Sequence, residues 1–178
     1  MLPKEEKQNT IDIRLLALHE IPMFSKLRND IDKESQYLIA KKGERKGSIM
    51  YPILTILINR KRTHTFIAFD NGKAIGYLSL VFAKFKKYRG NAYLVIALKS
   101  THRGRGIGNQ LMDVAEKFAK SHGKRRIELE VFAKNINAIE LYKKREYLTE
   151  GIKKNAVQDE DGFDDVLIMT KNLTAVTL

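Results

Sequence analysis

The 178-residue sequence contains no cysteine. That absence removes disulfides, thiolate catalysis and cysteine–zinc sites together. Histidine is scarce and dispersed: His19, His64, His102 and His122 show neither an H-x-x-x-H nor an H-E-x-x-H spacing, so no metal site is expected. No apolar run is long enough to span a bilayer. The opening residues, Met1-Leu2-Pro3-Lys4-Glu5-Glu6-Lys7, are polar and carry acids, unlike a secretory signal, so a cytoplasmic protein with no membrane partner is expected. Internal repeats, low-complexity segments and Pro/Gly/Ser-rich linkers are also missing. One domain over residues 1–178, with a core from about 11 to 172, is the economical reading.

What is present is apolar mass and positive charge. Hydrophobic residues make up 43% of the chain, enough for a core without metal or disulfide support. Lysine and arginine number 33 against 21 acids, a net charge of +12. Such a charge serves solubility, or it serves a polyanionic partner: nucleic acid, anionic membrane or a phosphorylated cofactor. The basic clusters (Lys41-Lys42, Arg60-Lys61-Arg62, Lys84 to Arg89, Lys124-Arg125-Arg126, Lys143-Lys144-Arg145) are spread along the chain and outline no single nucleic-acid footprint.

The hydrophobic period predicts a β-α-α-β-β-β-α-β-α-β-β order. Ile11 to Leu15 alternates as a strand, and His19 to Asp32 carries Ile21, Phe24, Leu27 and Ile31 on one helical stripe. Ile49 to Arg60 reads as a further helix or helix pair, with Pro52 near its start. Thr65 to Phe69 and Ala74 to Phe82 read as strands joined by a hairpin turn at Asp70-Asn71-Gly72-Lys73. Ala92 to Leu98 is a nearly unbroken apolar strand, suited to mid-sheet. Ile107 to Phe118 forms a helical stripe closed by Gly123, Ile127 to Val131 alternates, and a short helix carries Leu141 and Tyr142. Leu148 to Val157 and Asp165 to Lys171 make a closing hairpin. The expected fold is α/β (α+β): a mixed, mostly antiparallel sheet of about seven strands flanked by about four helices, with a parallel β-α-β crossover near residues 92–132.

At that crossover stands Arg103-Gly104-Arg105-Gly106-Ile107-Gly108. Glycines at a strand-to-helix junction leave backbone N–H groups uncovered, and the helix dipole and two arginines add positive charge, a setting for a phosphate-bearing ligand. The pattern is not G-x-G-x-x-G, and it comes more than halfway along the chain after a hairpin, which excludes a dinucleotide fold. No Lys-Ser or Lys-Thr follows Gly108, which excludes a P-loop, and kinase motifs are absent. A plain tight turn is the alternative.

Residues 103–108 also match the Arg/Gln-x-x-Gly-x-Gly/Ala acyl-CoA-binding motif of the GNAT N-acetyltransferase superfamily. Leu129-Glu130-Val131 through Asn135, Ala138 and Leu141-Tyr142 resembles that family's L-x-V-x-x-x-N-x-x-A-x-x-L-Y segment. The resemblance implies an acetyl-CoA-dependent N-acetyltransferase acting on a primary amine of a small molecule or peptide. It implies that Ile96, Ala97 and Leu98 offer backbone groups to the pantetheine arm and acyl carbonyl. Arg103, Gly104, Arg105, Gly106, Ile107, Gly108 and Asn109 then form the pyrophosphate loop, with Arg105 either neutralising a phosphate or facing water. Asn135 contacts the cofactor arm or caps its helix. Tyr142 is the general acid or a core tyrosine. Glu130 is the base candidate, through water in some relatives. Glu128 shares its strand face, and Glu34 and Tyr37 are candidates for binding the amine; a solvated or salt-bridged acid is the plain alternative for each glutamate. Family habit implies a homodimer.

The family pattern Gly-Phe after the tyrosine helix is Glu146-Tyr147 in this sequence, which puts the local turn in question. Two other readings compete with the enzyme: a non-catalytic acyl-CoA sensor on the same fold, and an RNA- or ribosome-binding module suggested by the charge. The sequence lacks the aromatic platforms such a module uses.

Overall fold

The computed structural model describes residues 11–35, 37, 59, 61–159 and 162–173. Seven strands form one sheet: β1 (Ile11–Leu15), β2 (Thr63–Asp70), β3 (Lys73–Phe82), β4 (Asn91–Leu98), β5 (Arg126–Phe132), β6 (Leu148–Asp159) and β7 (Gly162–Asn172). Three α-helices accompany them among the described residues: α1 (Ile21–Glu34), α2 (Ile107–Ser121) and α3 (Ile136–Lys144). The helix expected over 49–60 lies outside the described residues, apart from Asn59. The sheet order is β1-β2-β3-β4-β5-β7-β6, antiparallel throughout except for the β4–β5 pair. The expected mixed sheet and its parallel crossover are both present.

Local chemistry explains the elements. At the β2–β3 hairpin Asn71 and Gly72 have φ of 47° and 75°, the left-handed pair that matches the twist of the flanking strands. Glu20 ties β1 to the start of α1: its carboxylate accepts from both terminal nitrogens of Arg14 (2.6 and 2.8 Å) and from the Ala17 N–H (3.0 Å). Helix α2 ends on Gly123 at φ 68°, with Gly123 N–H bonded to the Lys120 carbonyl and Lys124 N–H to that of Ala119. These are the two bonds of a Schellman motif.

The sheet is buried on both faces. Phe66, Leu78, Leu80, Leu94, Ile127 and Leu129 pack against Ile107, Leu111, Met112 and Ala115 of α2 and Ile139 and Tyr142 of α3. Ile67, Phe69 and Tyr77 pack on the other face against Phe24, Leu27 and Ile31 of α1, with Val95 and Ala97 beside them. Strand β4 therefore alternates: even-numbered side chains face α2 and α3, odd-numbered ones face α1.

Candidate active site

Strands β4 and β5 pair only at Asn91–Arg126, Ala92–Ile127 and Tyr93–Glu128. Beyond that point β4 continues against β3 as far as Leu98, and β5 continues against β7 as far as Phe132. The two strands fork. The backbone of β4 shows which groups the fork leaves without a strand partner. Lys99 N–H bonds to the Ile75 carbonyl (2.9 Å), and Ala83 N–H bonds to the Asn91 carbonyl (3.1 Å), so odd-numbered residues turn their backbone groups to β3. Leu94, Ile96 and Leu98 turn theirs into the fork. The Leu98 carbonyl accepts from Arg103 Nε at 3.2 Å, which brings that arginine to the end of the strand.

The fork opens into a cavity of about 810 Å³. On the α2–α3 side its wall includes Leu98, Gly106, Gly108, Asn135, Leu141 and Tyr142. The glycine turn reaches α2 through Gly104 and Gly106, at φ 72° and 76°. A Cβ on either would meet nothing within 4 Å, so backbone conformation, rather than crowding, favours glycine there. Gly108 is different: a Cβ would stand 3.2 Å from Leu141 Cδ2, so its bareness lets α2 and α3 approach. Gly106 caps α2 without a side-chain bond, and the first N–H groups of any helix have no intrahelical partner. The turn thus offers a bundle of donors at the positive end of the helix dipole.

Tyr142 is buried in the wall, 6% exposed. Desolvation, and then the neighbouring Tyr93, push its phenol well above the ordinary tyrosine range, so it keeps its proton. Asn135 Oδ1 accepts from the Ala138 N–H at 3.3 Å, so the residue is an N-cap of α3 and also lines the cavity. The position of Tyr142 depends on the turn after α3. Glu146 adopts φ 66°, the left-handed conformation a glycine would take. Its N–H bonds to the Lys143 carbonyl (2.9 Å) and that of Tyr147 to the Tyr142 carbonyl (3.0 Å). The turn forms with glutamate in place of glycine.

On the α1 side stand Tyr93, Glu130, Phe132, Tyr37 and Lys153. Glu130 Oε1 accepts from Lys153 Nζ at 2.6 Å. The Tyr93 phenol is pushed up to about 12, chiefly by desolvation and then by the carboxylates of Glu130 and Glu128, against a hydrogen bond from the Glu130 backbone. Tyr37 meets Phe132 edge to face, ring centroids 6.5 Å apart.

Ile96, Ala97, Leu98, Arg103, Gly104, Gly106, Ile107, Gly108, Asn109, Asn135, Glu130, Tyr37 and Tyr142 all border this one cavity. Three other candidates lie outside its lining. Arg105 Nη1 is 3.6 Å from Asp70, which His102 Nε2 also approaches at 3.4 Å. Glu34 Oε2 accepts from the Ser100 N–H and hydroxyl (2.8 and 2.9 Å), tying the end of α1 to the turn before Arg103; these bonds hold its carboxyl below the ordinary range. Glu128 accepts from Arg126 at 3.2 Å. Tyr93 and Lys153 escaped the sequence reading. A phenol inside an otherwise apolar strand was the available signal for Tyr93; none marked Lys153, which reaches the site from the far strand of the sheet. Among the described residues no group of three or more His, Asp or Glu could hold a metal ion, and no helix is long and apolar enough to cross a membrane.

Residues 18–147 match the model of the acetyltransferase (GNAT) family. An uncharacterized N-acetyltransferase of Methanocaldococcus jannaschii is 33% identical over 91 residues, covering 49% of this chain and 40% of its own. The chain spans about half or less of the length of the curated relatives it matches. Among solved structures, a GNAT-family acetyltransferase from Streptococcus pneumoniae superposes with a TM-score of 0.85 at 23% identity, over 92% of this chain and 99% of that one. YncA of Salmonella typhimurium, solved with its cofactor acetyl-CoA, gives 0.82 at 15% identity, over 96% and 98%. These likenesses are likenesses of fold.

Proposed function

The chain belongs to the acetyltransferase (GNAT) family, and from that membership we propose that it transfers an acetyl group from acetyl-CoA to a primary amine of a small molecule or peptide. The observation that carries the reading is the β4–β5 fork, which runs from the unpaired edge of β4 straight to the glycine turn. An amide-bearing arm needs alternating donors and acceptors, and Leu94 and Ile96 present them as an added strand would require. Pyrophosphate needs N–H donors and positive charge, and the turn from Gly104 to Asn109 supplies them beside Arg103. The open space above Gly104 and Gly106 fits a ligand lying close on the backbone. When bound, acetyl-CoA supplies an activated acyl group and a thiolate leaving group.

The chain's own groups divide the remaining work. Leu94, Ile96 and the Leu98 N–H hold the arm, and Asn135 borders it; Ala97, expected to share this task, turns its backbone groups to β3 and only lines the cavity. Glu130, on the α1 side, receives the proton the amine must lose before it attacks directly in the ternary complex. Tyr142, across the fork, holds a proton at its phenol and delivers it to the leaving group. Burial keeps that phenol protonated, and the departing thiolate is the base that draws the proton from it. Arg105, drawn toward Asp70, acts on the rim by charge. The turn at Glu146 leaves the tyrosine helix intact, so that departure lends no weight to a protein that binds without turnover.

The test has two arms: calorimetric titration with acetyl-CoA, and thiol release from acetyl-CoA across a panel of amines. Binding with amine-dependent release is expected. Absence of both would overturn the reading; binding without release from any amine would make the protein a sensor.

A further inference from the structure

Among the described residues three charged side chains line the cavity: Arg103 beside the glycine turn, and Glu130 and Lys153 on the opposite, α1 side. The last two form an ion pair at 2.6 Å. Lys153 is put there by strand register: it pairs with Val166, which pairs with Phe132, so it stands on the same sheet face as Glu130, and β6 becomes irregular just after it. The β6–β7 register shifts between Lys153 and Val157, and Asn155 within that stretch takes φ 50°. Asp165 of β7 holds the bulge outward, accepting from the Asn155 N–H (3.0 Å) and from Lys154 Nζ (2.8 Å). Lys154 is thereby spent on Asp165, while Lys153, Ala156 and Val157 border the cavity. Bulges re-aim side chains next to binding sites, and this one brings Ala156 and Val157 to the lining that Lys153 reaches by regular pairing.

A half-exposed ammonium next to the proposed base is an obstacle for one class of acceptor and a receptor for another. A polyamine would bring several positive charges against Lys153. An amine that carries its own carboxylate would set its ammonium on Glu130 and its carboxylate on Lys153, matching a dipole with an opposed dipole at little net cost in charge. The rest of that wall carries no charge: Phe132, Ala156, Val157 and Val166 are apolar, and Tyr37 and Tyr93 add neutral phenols. It suits an uncharged side chain. Building on the acetyltransferase reading, we infer that the acceptor is a zwitterion, an α-amino acid with an uncharged side chain, and that Lys153 is the residue that selects for its carboxylate.

The experiment uses the full chain and α-amino acids with uncharged side chains, each alongside its amide and its decarboxylated amine, with spermidine as the polycation. Binding is read by calorimetry with coenzyme A saturating, and transfer by thiol release from acetyl-CoA. At least one amino acid is expected to exceed its amide about tenfold in both affinity and kcat/KM, corresponding to ~1.4 kcal/mol. The amide's amine is the more readily deprotonated, so the chemical bias runs against this outcome. Lys153→Met, which keeps an apolar stem, should bring the ratio near one, and Lys153→Glu should invert it. Amides or spermidine equalling every amino acid, or a ratio unmoved by Lys153→Met, would overturn the inference. Amino acid binding that needs Lys153, with no transfer to any amine, would leave the inference standing and remove the acetyltransferase reading.

Discussion

The Tyr147 N–H reaches back to the carbonyl of Tyr142 at 3.0 Å, and the two rings lie 5.9 Å apart. Bond and ring contact together close helix α3 as a Schellman motif with its customary apolar contact. Between them Glu146 occupies a conformation that costs a residue with a Cβ roughly 1–2 kcal/mol. Glu146→Gly should relieve that cost, less the entropy glycine loses on folding, for a net gain of about 0.5–1 kcal/mol. A rise in melting temperature of about 2–3 °C follows for a chain of this size. The side chain is 86% exposed, 3.7 Å from Lys171, so losing its charge subtracts little. Thermal unfolding decides the matter; an unchanged or lower melting point contradicts it.

Gly106 makes the opposite case. Gly106→Ala places a Cβ in open space but at φ 76°, so it should destabilise by about 1–2 kcal/mol. It also sets a methyl group where the proposed pyrophosphate lies. Affinity for coenzyme A, read by calorimetry, should therefore fall further than stability alone requires. Equal affinity in mutant and parent would place the phosphates elsewhere.

Tyr142→Phe removes one oxygen from a buried ring and leaves the packing of α3 in place. Turnover should fall about 10²-fold, the usual scale for a lost general acid, with coenzyme A affinity nearly unchanged. Because burial raises the Tyr142 pKa, its ionisation contributes no alkaline limb to kcat below about pH 10. Full activity in Tyr142→Phe would assign the proton to another donor, with Tyr93, a second phenol bordering the cavity, the first candidate.

Acid sensitivity traces to two bonded carboxylates. Glu150, bonded to Arg126 and to the Thr170 hydroxyl, and Glu20, bonded to Arg14, are each lowered from 4.5 to about 2. A depressed folded-state pKa stabilises fully above the unfolded value and is lost as pH falls through the folded one. Their stabilisation should be intact at pH 6 and disappear between about pH 4.5 and 2. A melting-temperature series over that range should show Glu150→Gln with a shallower acid limb than the parent; parallel curves would count against the assignment.

How much of this could be read from the chain follows the distance over which each feature is encoded. The Asp70–Lys73 turn, the α2 stripe and the glycine turn are local signals, and their boundaries stand within a few residues of expectation. The fork is not local: β4 reads as an unbroken mid-sheet strand, and nothing in Ala92 to Leu98 says that its pairing with β5 stops at Tyr93. Ion pairs across the sheet escape for the same reason. Glu130 and Lys153 are 23 residues apart and Glu34 and Ser100 are 66 apart, and their meeting depends on strand order and register. Glu34 illustrates the cost: an acid at the end of α1 suggests amine recognition, but folding spends it on the backbone of the turn before Arg103.

The three residue pairs that join β4 to β5 have a mechanical consequence. The sheet amounts to two plates, one of four strands and one of three, fastened along a short seam at Asn91–Tyr93 and backed by the apolar core they share with α2 and α3. The softest motion of such a body is a torsion about the seam, which widens or narrows the gap while leaving each plate's own ladders intact.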